Sequence, residues 1–300
     1  MSNPPIIDCH THAYPQVIAG DPRTWAIARN EAHWADLVAP EGRPSIQGWS
    51  TISGMLEAMD ASGVDQAVLQ GWYWEHEATC RWHNEVMAEW MEASAGRLLG
   101  FAAILPNESV IKQLEAAESL GFRGVGELHI GVQGLGKNRK HWLEMLEWCT
   151  AHDWPICFHV TGAAGQEHPS AIPTPLVEFV HMAKAQPNLK IILAHWGGGL
   201  PFFEQNSNMR NILKNVFYDT AASPLLYELN IFKRIVEMVG RGKILYGSDF
   251  PLRLYPKQDK QPRMSRFLEQ IRNESGLSES CIQSILGSNA ALLFNTGNVL

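Results

Sequence analysis

The sequence predicts an α/β fold, a (β/α)8 TIM barrel that forms a single domain over residues 1–300. Eight short apolar segments alternate with segments in which apolar residues recur at helical spacing, a pattern typical of parallel strands joined by helices. A chain of 300 residues has the length of one such barrel. The turn after the first strand lacks the GxGxxG pattern of a dinucleotide-binding sheet. We therefore expect a closed barrel rather than an open doubly wound sheet.

The predicted elements follow one another along the whole chain, many of them bounded by glycine or proline. The apolar segments that predict strands are residues 6–12, 65–71, 98–105, 122–130, 155–160, 189–195, 216–220 and 243–246. The segments that predict helices are residues 51–62, 77–95, 109–120, 141–152, 174–186, 202–214, 229–239, 263–273 and 278–294, the last two being extra C-terminal helices. After strand 1, residues 13–50 predict a long tryptophan-rich loop, a type of segment that often forms a lid or a substrate pocket.

Composition and charge narrow the class of protein. The sequence has 24 basic and 31 acidic residues, a net charge of −7, and no run rich in lysine or arginine, which argues against a nucleic-acid partner. No apolar stretch approaches the ~20 residues that a membrane span needs. Five cysteines without CxxC spacing indicate buried free thiols in a reducing compartment. We expect a cytoplasmic protein whose partner is a small molecule, with no membrane or nucleic-acid partner.

The first strand carries a pair of histidines in the run IIDCHTH over residues 6–12. Side chains alternate between the two faces of a strand, so His10 and His12 point to the same face. Cys9 points to the opposite face and is not counted as a ligand. Two imidazoles on one face are part of a metal site.

Ionisable side chains also occur at later strand ends, where the active sites of (β/α)8 barrels form. They are Glu127 in strand 4, His159 in strand 5, His195 in strand 6, Asp219 in strand 7 and Asp249 after strand 8. Together with the two histidines of the first strand, these side chains offer three imidazoles and one carboxylate that suit Zn²⁺ or another divalent first-row metal such as Mn²⁺. These predicted metal ligands are His10, His12, His159 and Asp249. The pattern predicts one ion and leaves a second ion open.

Asp249 and His195 are the predicted catalytic residues. Asp249 can ligate the ion weakly while it accepts a proton from metal-bound water. His195 lies at the end of the next strand after that of His159, where it is predicted to act as an acid–base group or as a ligand of a second ion. Arg123 and Arg253 lie near strand ends and are predicted to hold a substrate carboxylate, and Trp196 is predicted to contact the substrate.

These residues give the chain a resemblance to a known family. The HTH run, His159, the run AHWGGGLPF over residues 194–202 and the run GSDFP over residues 247–251 resemble the amidohydrolase superfamily, in the amidohydrolase-related branch that includes aminocarboxymuconate-semialdehyde decarboxylase. The resemblance implies one divalent metal, usually zinc, at the four predicted ligands. It also implies a catalytic role for His195 and a part for Asp249 in activating bound water.

Glu127 departs from that resemblance, because the branch's decarboxylases do not present a carboxylate at this point of strand 4. Other hydrolases of the superfamily place an acid there, where it bridges two metals or completes one site. Glu127 therefore favours hydrolysis and is a further candidate metal ligand, in a binuclear centre built with His159 and His195. Its alternative role is structural, holding an arginine or a backbone amide.

The sequence favours a metal-dependent hydrolase that uses a metal-activated water on an ester, lactone or amide of a small organic acid. The alternative is a metal-dependent non-oxidative decarboxylase, a carboxy-lyase of a small aromatic or unsaturated carboxylic acid. A third hypothesis, a barrel that has lost catalysis and only binds a ligand, is disfavoured because every metal position carries an intact candidate. A homodimer with the C-terminal helices at its interface stays open.

Overall fold

The computed structural model describes residues 4–162 and 170–295 of the 300-residue chain. Its centre consists of parallel strands, each of which lies within one of the segments predicted as strands. They are β1 (Ile7–Thr11), β2 (Gln66–Gln70), β3 (Leu98–Phe101), β4 (Val125–Leu128), β5 (Ile156–Phe158), β6 (Ile191–Leu193), β7 (Val216–Asp219) and β8 (Ile244–Leu245). Strands alternate with helices along the chain, which confirms the predicted α/β class.

The helices of the described residues cover the outside of the strands. Additional helices follow β1 and β8 along the chain. They are α1 (Gln16–Gly20), α2 (Pro22–Ile27), α3 (Ala32–Val38), α4 (Ile52–Ser62), α5 (Glu77–Ala93), α6 (Val110–Ser119), α7 (Arg139–Ala151), α8 (Leu176–Ala185), α9 (Ser207–Ile212), α10 (Ser223–Leu226), α11 (Ile231–Val239), α12 (Met264–Glu274), α13 (Glu279–Gln283) and α14 (Asn289–Leu293). Within this part of the chain, no helix is both long and apolar enough to cross a bilayer.

The strands form a ring. They pair in two parallel groups, β1-β2-β3 and β4 to β8, and backbone hydrogen bonds join the groups on both sides. On one side the Ala102 N–H, just after β3, donates to the Gly124 carbonyl before β4 at 2.9 Å. On the other side the Cys9 N–H in β1 donates to the Tyr246 carbonyl after β8 at 2.7 Å. This ring is the predicted (β/α)8 TIM barrel, and it gathers the C-terminal strand ends at one mouth.

Apolar helix faces pack on the strands and fix their direction. In α4, Met55 and Met59 lie one turn apart on the same face and are fully buried in the core. Gly63 ends α4 with a φ of 67°, a left-handed conformation that glycine adopts without strain. The chain then returns directly into β2, so that β2 runs parallel to β1. Because a helix followed by a parallel strand recurs along the chain, the C-terminal ends of all strands lie at the same end of the barrel.

The segment after β1 contains three short helices, α1 to α3, where the sequence predicted a long loop. Helices of this length are not stable alone in water, so they depend on packing. Trp25 and Trp34 have ring centroids 6.1 Å apart, and Trp34 lies 5.9 Å from Trp72 and 5.1 Å from Trp74, both in the loop after β2. Tertiary packing of this kind leaves no helical periodicity in the sequence, which explains the difference.

The predicted helix over residues 202–214 is also different, because it is divided between a 3₁₀ segment, His195–Gln205, and α9. Asn206, which lies between the two, has extended backbone angles of φ −83° and ψ 124°, so one α-helix cannot run through residues 202–214. Asn206 starts α9 by accepting hydrogen bonds from the backbone N–H groups of Asn208 and Met209.

Substitution Gly287→Ala is expected to destabilise the protein by about 3 kcal/mol, the upper end of the cost of overpacking a core. Gly287 lies in the π-helical turn Ser284–Ser288, and an added Cβ would stand 1.7 Å from the carbonyl oxygen of Pro5, just before β1. Relief of this contact requires movement of the backbone that leads into β1. Urea unfolding measures the loss. Gly136→Ala is the control, since its added Cβ meets nothing within 4 Å, and equal stability of the two variants would contradict the prediction.

Candidate metal centre

The barrel mouth brings six of the predicted site residues into one buried cluster. His10 lies in β1, His12 follows it, Glu127 lies in β4, and the others follow β5, β6 and β8. The cluster consists of His10, His12, Glu127, His159, His195 and Asp249. Because each residue comes from a strand end or the turn after it, the barrel itself positions the cluster.

Asp249 and Glu127 each place one carboxylate oxygen within 4 Å of both His10 Nε2 and His12 Nε2. His10 Nε2 and His12 Nε2 lie 3.9 and 3.8 Å from Asp249 Oδ1. The same two nitrogens lie 3.7 and 3.9 Å from Glu127 Oε2. A tetrahedral ion with ligand atoms about 2.1 Å away would hold them about 3.4 Å apart. The ligand atoms of His10, His12 and Asp249, which all lie within 4.8 Å of one another, therefore need only small inward shifts to hold a divalent metal.

Hydrogen bonds behind the two histidines orient their rings for ligation. His10 Nδ1 lies 2.9 Å from Asp219 Oδ2, and His12 Nδ1 lies 3.2 Å from the Gln70 carbonyl oxygen. These acceptors hold a ring proton on Nδ1 and direct Nε2 into the cluster, the orientation that metal-ligating histidines use. His10 Nε2 is buried without a hydrogen-bond partner among the described residues. A buried, unpartnered ring nitrogen beside two carboxylates fits a metal ion, which would take the place of the proton that those carboxylates favour there.

A second group of ligand atoms lies on the other side of Glu127. His159 Nδ1 lies 2.9 Å from Glu127 Oε1 and 3.3 Å from His195 Nε2. His195 Nε2 is 3.6 Å from the same carboxylate oxygen. The structure thus places His159, a predicted ligand, with Glu127 and His195 and not with the group of His10, His12 and Asp249. Glu127 presents one oxygen to each group.

The electrostatics of the cluster favour a cation. Burial alone would raise the pKa of Glu127, but the charges of His159 and His10 outweigh it and hold that pKa well below its usual value. Burial would likewise lower the pKa of His195, yet Glu127 and the charge of Asp249 raise it to about 9. Buried carboxylates that hold protons on neighbouring imidazoles provide the field that a divalent cation would replace.

The turn after β6 gives His195 its position. His195 has a φ of 58°, its backbone N–H donates to Asp219 Oδ1 at 3.0 Å, and its Nδ1 lies 3.1 Å from the Ala221 carbonyl oxygen. Gly197 follows with a φ of 63°, and an added Cβ there would stand 2.7 Å from the Tyr218 ring. The glycine run therefore serves a sharp turn and a close approach, and it aims His195 Nε2 at the cluster.

The three predicted substrate contacts lie elsewhere. Arg123 precedes β4, at the opposite end of that strand from Glu127, and its guanidinium donates to the Phe122 carbonyl. Arg253 holds the segment after β1, since its backbone N–H donates to the Ile46 carbonyl at 2.9 Å. Trp196 is buried, and its indole N–H donates to Ser223 Oγ at 2.9 Å. The structure therefore brings none of these side chains into the cluster.

Aromatic side chains line the cluster on the side of the β2 loop. Trp72 stacks on His12 with ring centroids 4.3 Å apart, and Tyr73 lies 5.4 Å from the His159 ring. Tyr14 and Trp34 lie behind Trp72. The tryptophan-rich segments thus form one aromatic wall beside the predicted metal ligands.

Asp219 is a functional residue for which the sequence predicted a position but no role. Its two oxygens bind His10 Nδ1 and the backbone N–H of His195, so one buried carboxylate orients a metal ligand and the predicted acid–base group. Its place at the end of β7 is the signal that identifies it. Gln70 is similar, because its carbonyl orients His12 and its side-chain amide donates to the Cys9 carbonyl.

Substitution Asp219→Asn is expected to lower the affinity for a divalent metal about 10–100-fold, the usual effect of removing such a partner of a ligating histidine. The neutral amide of asparagine cannot replace the negative charge that the Asp219 carboxylate places beside His10 Nδ1. Titration of the apoprotein with Zn²⁺ against a fluorescent chelator measures the loss. Asp153→Asn is the matched control, since Asp153 is exposed and pairs with Lys190 on the surface. Unchanged affinity in Asp219→Asn would contradict the assigned role.

A (β/α)8 barrel with histidines and carboxylates at its strand ends defines a class of metal-dependent barrel enzymes. The amidohydrolase family model matches residues 7–296, and the chain belongs to this family. The chain is therefore an enzyme of the metal-dependent amidohydrolase superfamily, as the sequence resemblance implied. No curated protein matches the sequence significantly.

Solved structures share the fold at low identity. 5-Carboxyvanillate decarboxylase from Sphingomonas paucimobilis is 18% identical, with a TM-score of 0.70 over 97% of this chain and 99% of that chain. A dihydroxybenzoic acid decarboxylase from Polaromonas sp. JS666, with bound manganese and the inhibitor 2-nitroresorcinol, is 18% identical, with a TM-score of 0.69 over 98% of each chain. 4-Oxalomesaconate hydratase from Rhodopseudomonas palustris is 17% identical, with a TM-score of 0.64 over 97% of this chain and 95% of that chain.

Proposed function

We propose that this chain is a metal-dependent non-oxidative decarboxylase of small aromatic or unsaturated carboxylic acids. The observation that carries the proposal is the aromatic wall, where Trp72 stacks on the predicted ligand His12 and Tyr73 packs on His159. Such a wall suits a planar acid held against the metal. The aromatic-acid decarboxylases among the structures with this fold support the same choice. They favour the alternative hypothesis over the hydrolase that the sequence favoured.

His195 is the residue that supplies the proton. In decarboxylation the bond from the substrate carbon to the carboxylate carbon breaks, its electron pair stays on the substrate carbon, and CO₂ leaves. A proton then takes the vacated position. His195 Nδ1 is held by the Ala221 carbonyl at 3.1 Å, so its Nε2 is the atom that carries the transferred proton. Asp219 fixes the backbone of His195 by accepting from its N–H.

His10, His12 and Asp249 are the residues that would hold the metal, with Glu127 as a fourth ligand. A bound Zn²⁺ or Mn²⁺ supplies Lewis acidity, which orients substrate oxygens and stabilises negative charge on the substrate. The protein contributes the ligand directions through Asp219 and the Gln70 carbonyl, and the buried position of the cluster keeps bulk water away.

Hydrolysis of an ester, lactone or amide is the second candidate, and Glu127 is the observation that favours it. Its Oε2 faces His10 and His12, whereas its Oε1 faces His159 and His195. A carboxylate with one oxygen toward each of two ligand groups suits a pair of metal ions. In that case Asp249 would accept a proton from the attacking water, and the metal content would be near two ions per chain.

The two candidates are separated by product analysis. Protein supplied with Zn²⁺ or Mn²⁺ is incubated in D₂O with small aromatic and unsaturated carboxylic acids, and in parallel with lactones, esters and amides. The proposal expects CO₂ from one of the acids and a product with one deuterium at the vacated carbon. Acid release from a lactone, ester or amide, without CO₂ from any carboxylic acid, would favour the hydrolase and overturn the proposal.

A further inference from the structure

Asp8 is a buried carboxylate of β1 that the mechanism does not use, although it belongs to the same run of residues as His10 and His12. The side chain is fully buried, and its Oδ1 accepts from two backbone N–H groups. One is the N–H of His10, at 3.2 Å, and the other is the N–H of Ser248, at 2.9 Å. A single oxygen therefore joins β1 to the turn after β8, next to a predicted metal ligand on each side.

The strand β1 is irregular at the point where Asp8 makes these contacts. Asp8 pairs with Ala67 and Thr11 pairs with Leu69, so β1 contains one residue more than β2 between the two paired positions. An extra residue of this kind bends a strand and redirects its side chains, and such bulges occur next to active sites. The irregular stretch is the one that carries His10, so the direction of this ligand depends on how the bulge is held.

Buried side chains contact the backbone of this stretch. The side-chain amide of Gln70 donates to the Cys9 carbonyl at 2.9 Å, and the Thr11 hydroxyl donates to the Val68 carbonyl at 2.8 Å. Asp8 adds an acceptor for an N–H group and also reaches the turn after β8. Buried backbone groups need such partners, so these side chains stabilise the bulge.

The turn after β8 is held to β1 by two consecutive N–H groups. Ser248 donates to Asp8 Oδ1, and Asp249 donates to the His10 carbonyl at 2.8 Å. Asp249 has a φ of 61°, a left-handed conformation that is uncommon outside glycine and needs support from its surroundings. Gly247 passes so close to β1 that an added Cβ would stand 2.8 Å from His10 Cβ. The position of Asp249 thus depends on the contacts of this turn with β1.

We propose that Asp8 is a positioning residue of the metal centre, which sets the direction of His10 and the separation of His10 from Asp249. Its action requires an acceptor oxygen at the place of Oδ1, because both partners are backbone N–H groups. Its Oδ2 has no hydrogen-bond partner among the described residues, so a neutral amide can take the place of the carboxylate. The inference rests on the ligand set of the proposed function and not on the reaction.

The test is a metal-binding experiment that does not require turnover. Titration of the apoprotein with Zn²⁺ against a fluorescent chelator gives the Kd, and the absorption spectrum of Co²⁺-loaded protein reports the coordination geometry. Asp8→Leu keeps a branched side chain without oxygens and should raise the Kd about 10–100-fold, the usual effect of losing a residue that orients ligands. It should also change the Co²⁺ spectrum. Asp8→Asn should keep the spectrum and a Kd within about threefold of the wild type, because both hydrogen bonds remain.

Asn84→Leu is the matched control. Asn84 of α5 is buried, accepts from the Ala103 N–H at 2.8 Å and donates to the Ala103 carbonyl at 2.9 Å, just after β3. Leucine therefore removes two buried hydrogen bonds from a strand end here too, but no predicted ligand lies at the end of β3. Both leucine variants should lower the melting temperature by about 5 °C. Only Asp8→Leu should change the Kd and the Co²⁺ spectrum.

Asp8→Ala decides the point if Asp8→Leu does not fold, because alanine removes the same oxygen without adding bulk. Three outcomes would overturn the inference. The first is a wild-type Kd and Co²⁺ spectrum in a folded variant without the oxygen. The second is an equal loss of affinity in Asp8→Asn, which would mean that the charge acts and not the acceptor. The third is failure of both Asp8→Leu and Asp8→Ala to fold, which would make Asp8 a residue of the fold alone.

Failure of the proposed function is distinguishable from failure of this inference. If the chain is not a decarboxylase, the loss of metal affinity in Asp8→Leu and its retention in Asp8→Asn remain, but no carboxylic acid releases CO₂ with the metal-loaded wild type. If Asp8 is not a positioning residue, the wild type binds metal and releases CO₂, and the folded Asp8→Leu or Asp8→Ala variant binds metal equally well.

Discussion

His195→Gln is expected to lower the rate of CO₂ release about 10³-fold while the metal content stays unchanged. The imidazole is the proton carrier in the proposed reaction, and loss of a general acid–base group costs about 10²–10⁴-fold. Glutamine can keep a hydrogen bond toward Ala221 or Glu127, but it cannot transfer the proton. Steady-state assay of CO₂ and elemental analysis of the same preparation measure the two quantities.

His181→Gln is the control for this variant, because His181 is exposed on α8 and far from the barrel mouth. It should retain full activity. Loss of metal from His195→Gln would contradict the assignment of His195 as proton carrier and would make it a ligand in the group with Glu127 and His159. Full activity with full metal content would remove it from the mechanism.

His10→Ala is expected to abolish metal binding at micromolar metal and to lower activity more than about 10³-fold. The metal's contribution to catalysis is several kcal/mol, and every 1.36 kcal/mol is tenfold in rate. The variant also leaves the buried Asp219 Oδ2 without its His10 partner, so the site loses a ligand and gains an unpaired charge. Titration with Zn²⁺ or Mn²⁺ followed by calorimetry measures the loss of binding.

Circular dichroism of His10→Ala, recorded beside His181→Ala, separates loss of the site from loss of the fold. The expected result is a folded barrel without metal and without activity. A folded His10→Ala variant that binds metal as tightly as the wild type would contradict the place of His10 in the ligand set.

The sequence predicted the barrel well because the barrel depends on local signals. Short apolar runs of four to nine residues, many of them bounded by glycine or proline, specify the strands, and each observed strand lies inside its predicted segment. The helices α1 to α3 were missed because they depend on tryptophan packing between segments that are distant along the chain. Periodicity cannot report contacts of that kind.

The site was predictable to the extent that strand ends determine it. The histidines of β1 and Asp249 come together because parallel strands end at the same mouth, and their order along the chain was sufficient to group them. The sequence left open whether His159 joins the first group or lies with Glu127 and His195, because side-chain directions in the turns after strands have no sequence period. Arg123 was associated with the wrong strand end, since the predicted strand over residues 122–130 begins before the observed β4.

The buried polar atoms of Tyr73 and His33 carry information that only coordinates provide. Tyrosine and histidine in a tryptophan-rich segment predict packing, and both residues do pack. Their unpartnered atoms become visible only when every neighbour has been placed.

Elemental analysis of wild-type protein purified without a chelator tests the central claim most directly, namely that this cluster holds a catalytic metal. The account predicts about one zinc or manganese ion per chain, lost in His10→Ala and retained in His195→Gln. Nearly two ions per chain would favour the binuclear hydrolase over the decarboxylase. Absence of any divalent metal, even after reconstitution with Zn²⁺ and Mn²⁺, would contradict the account.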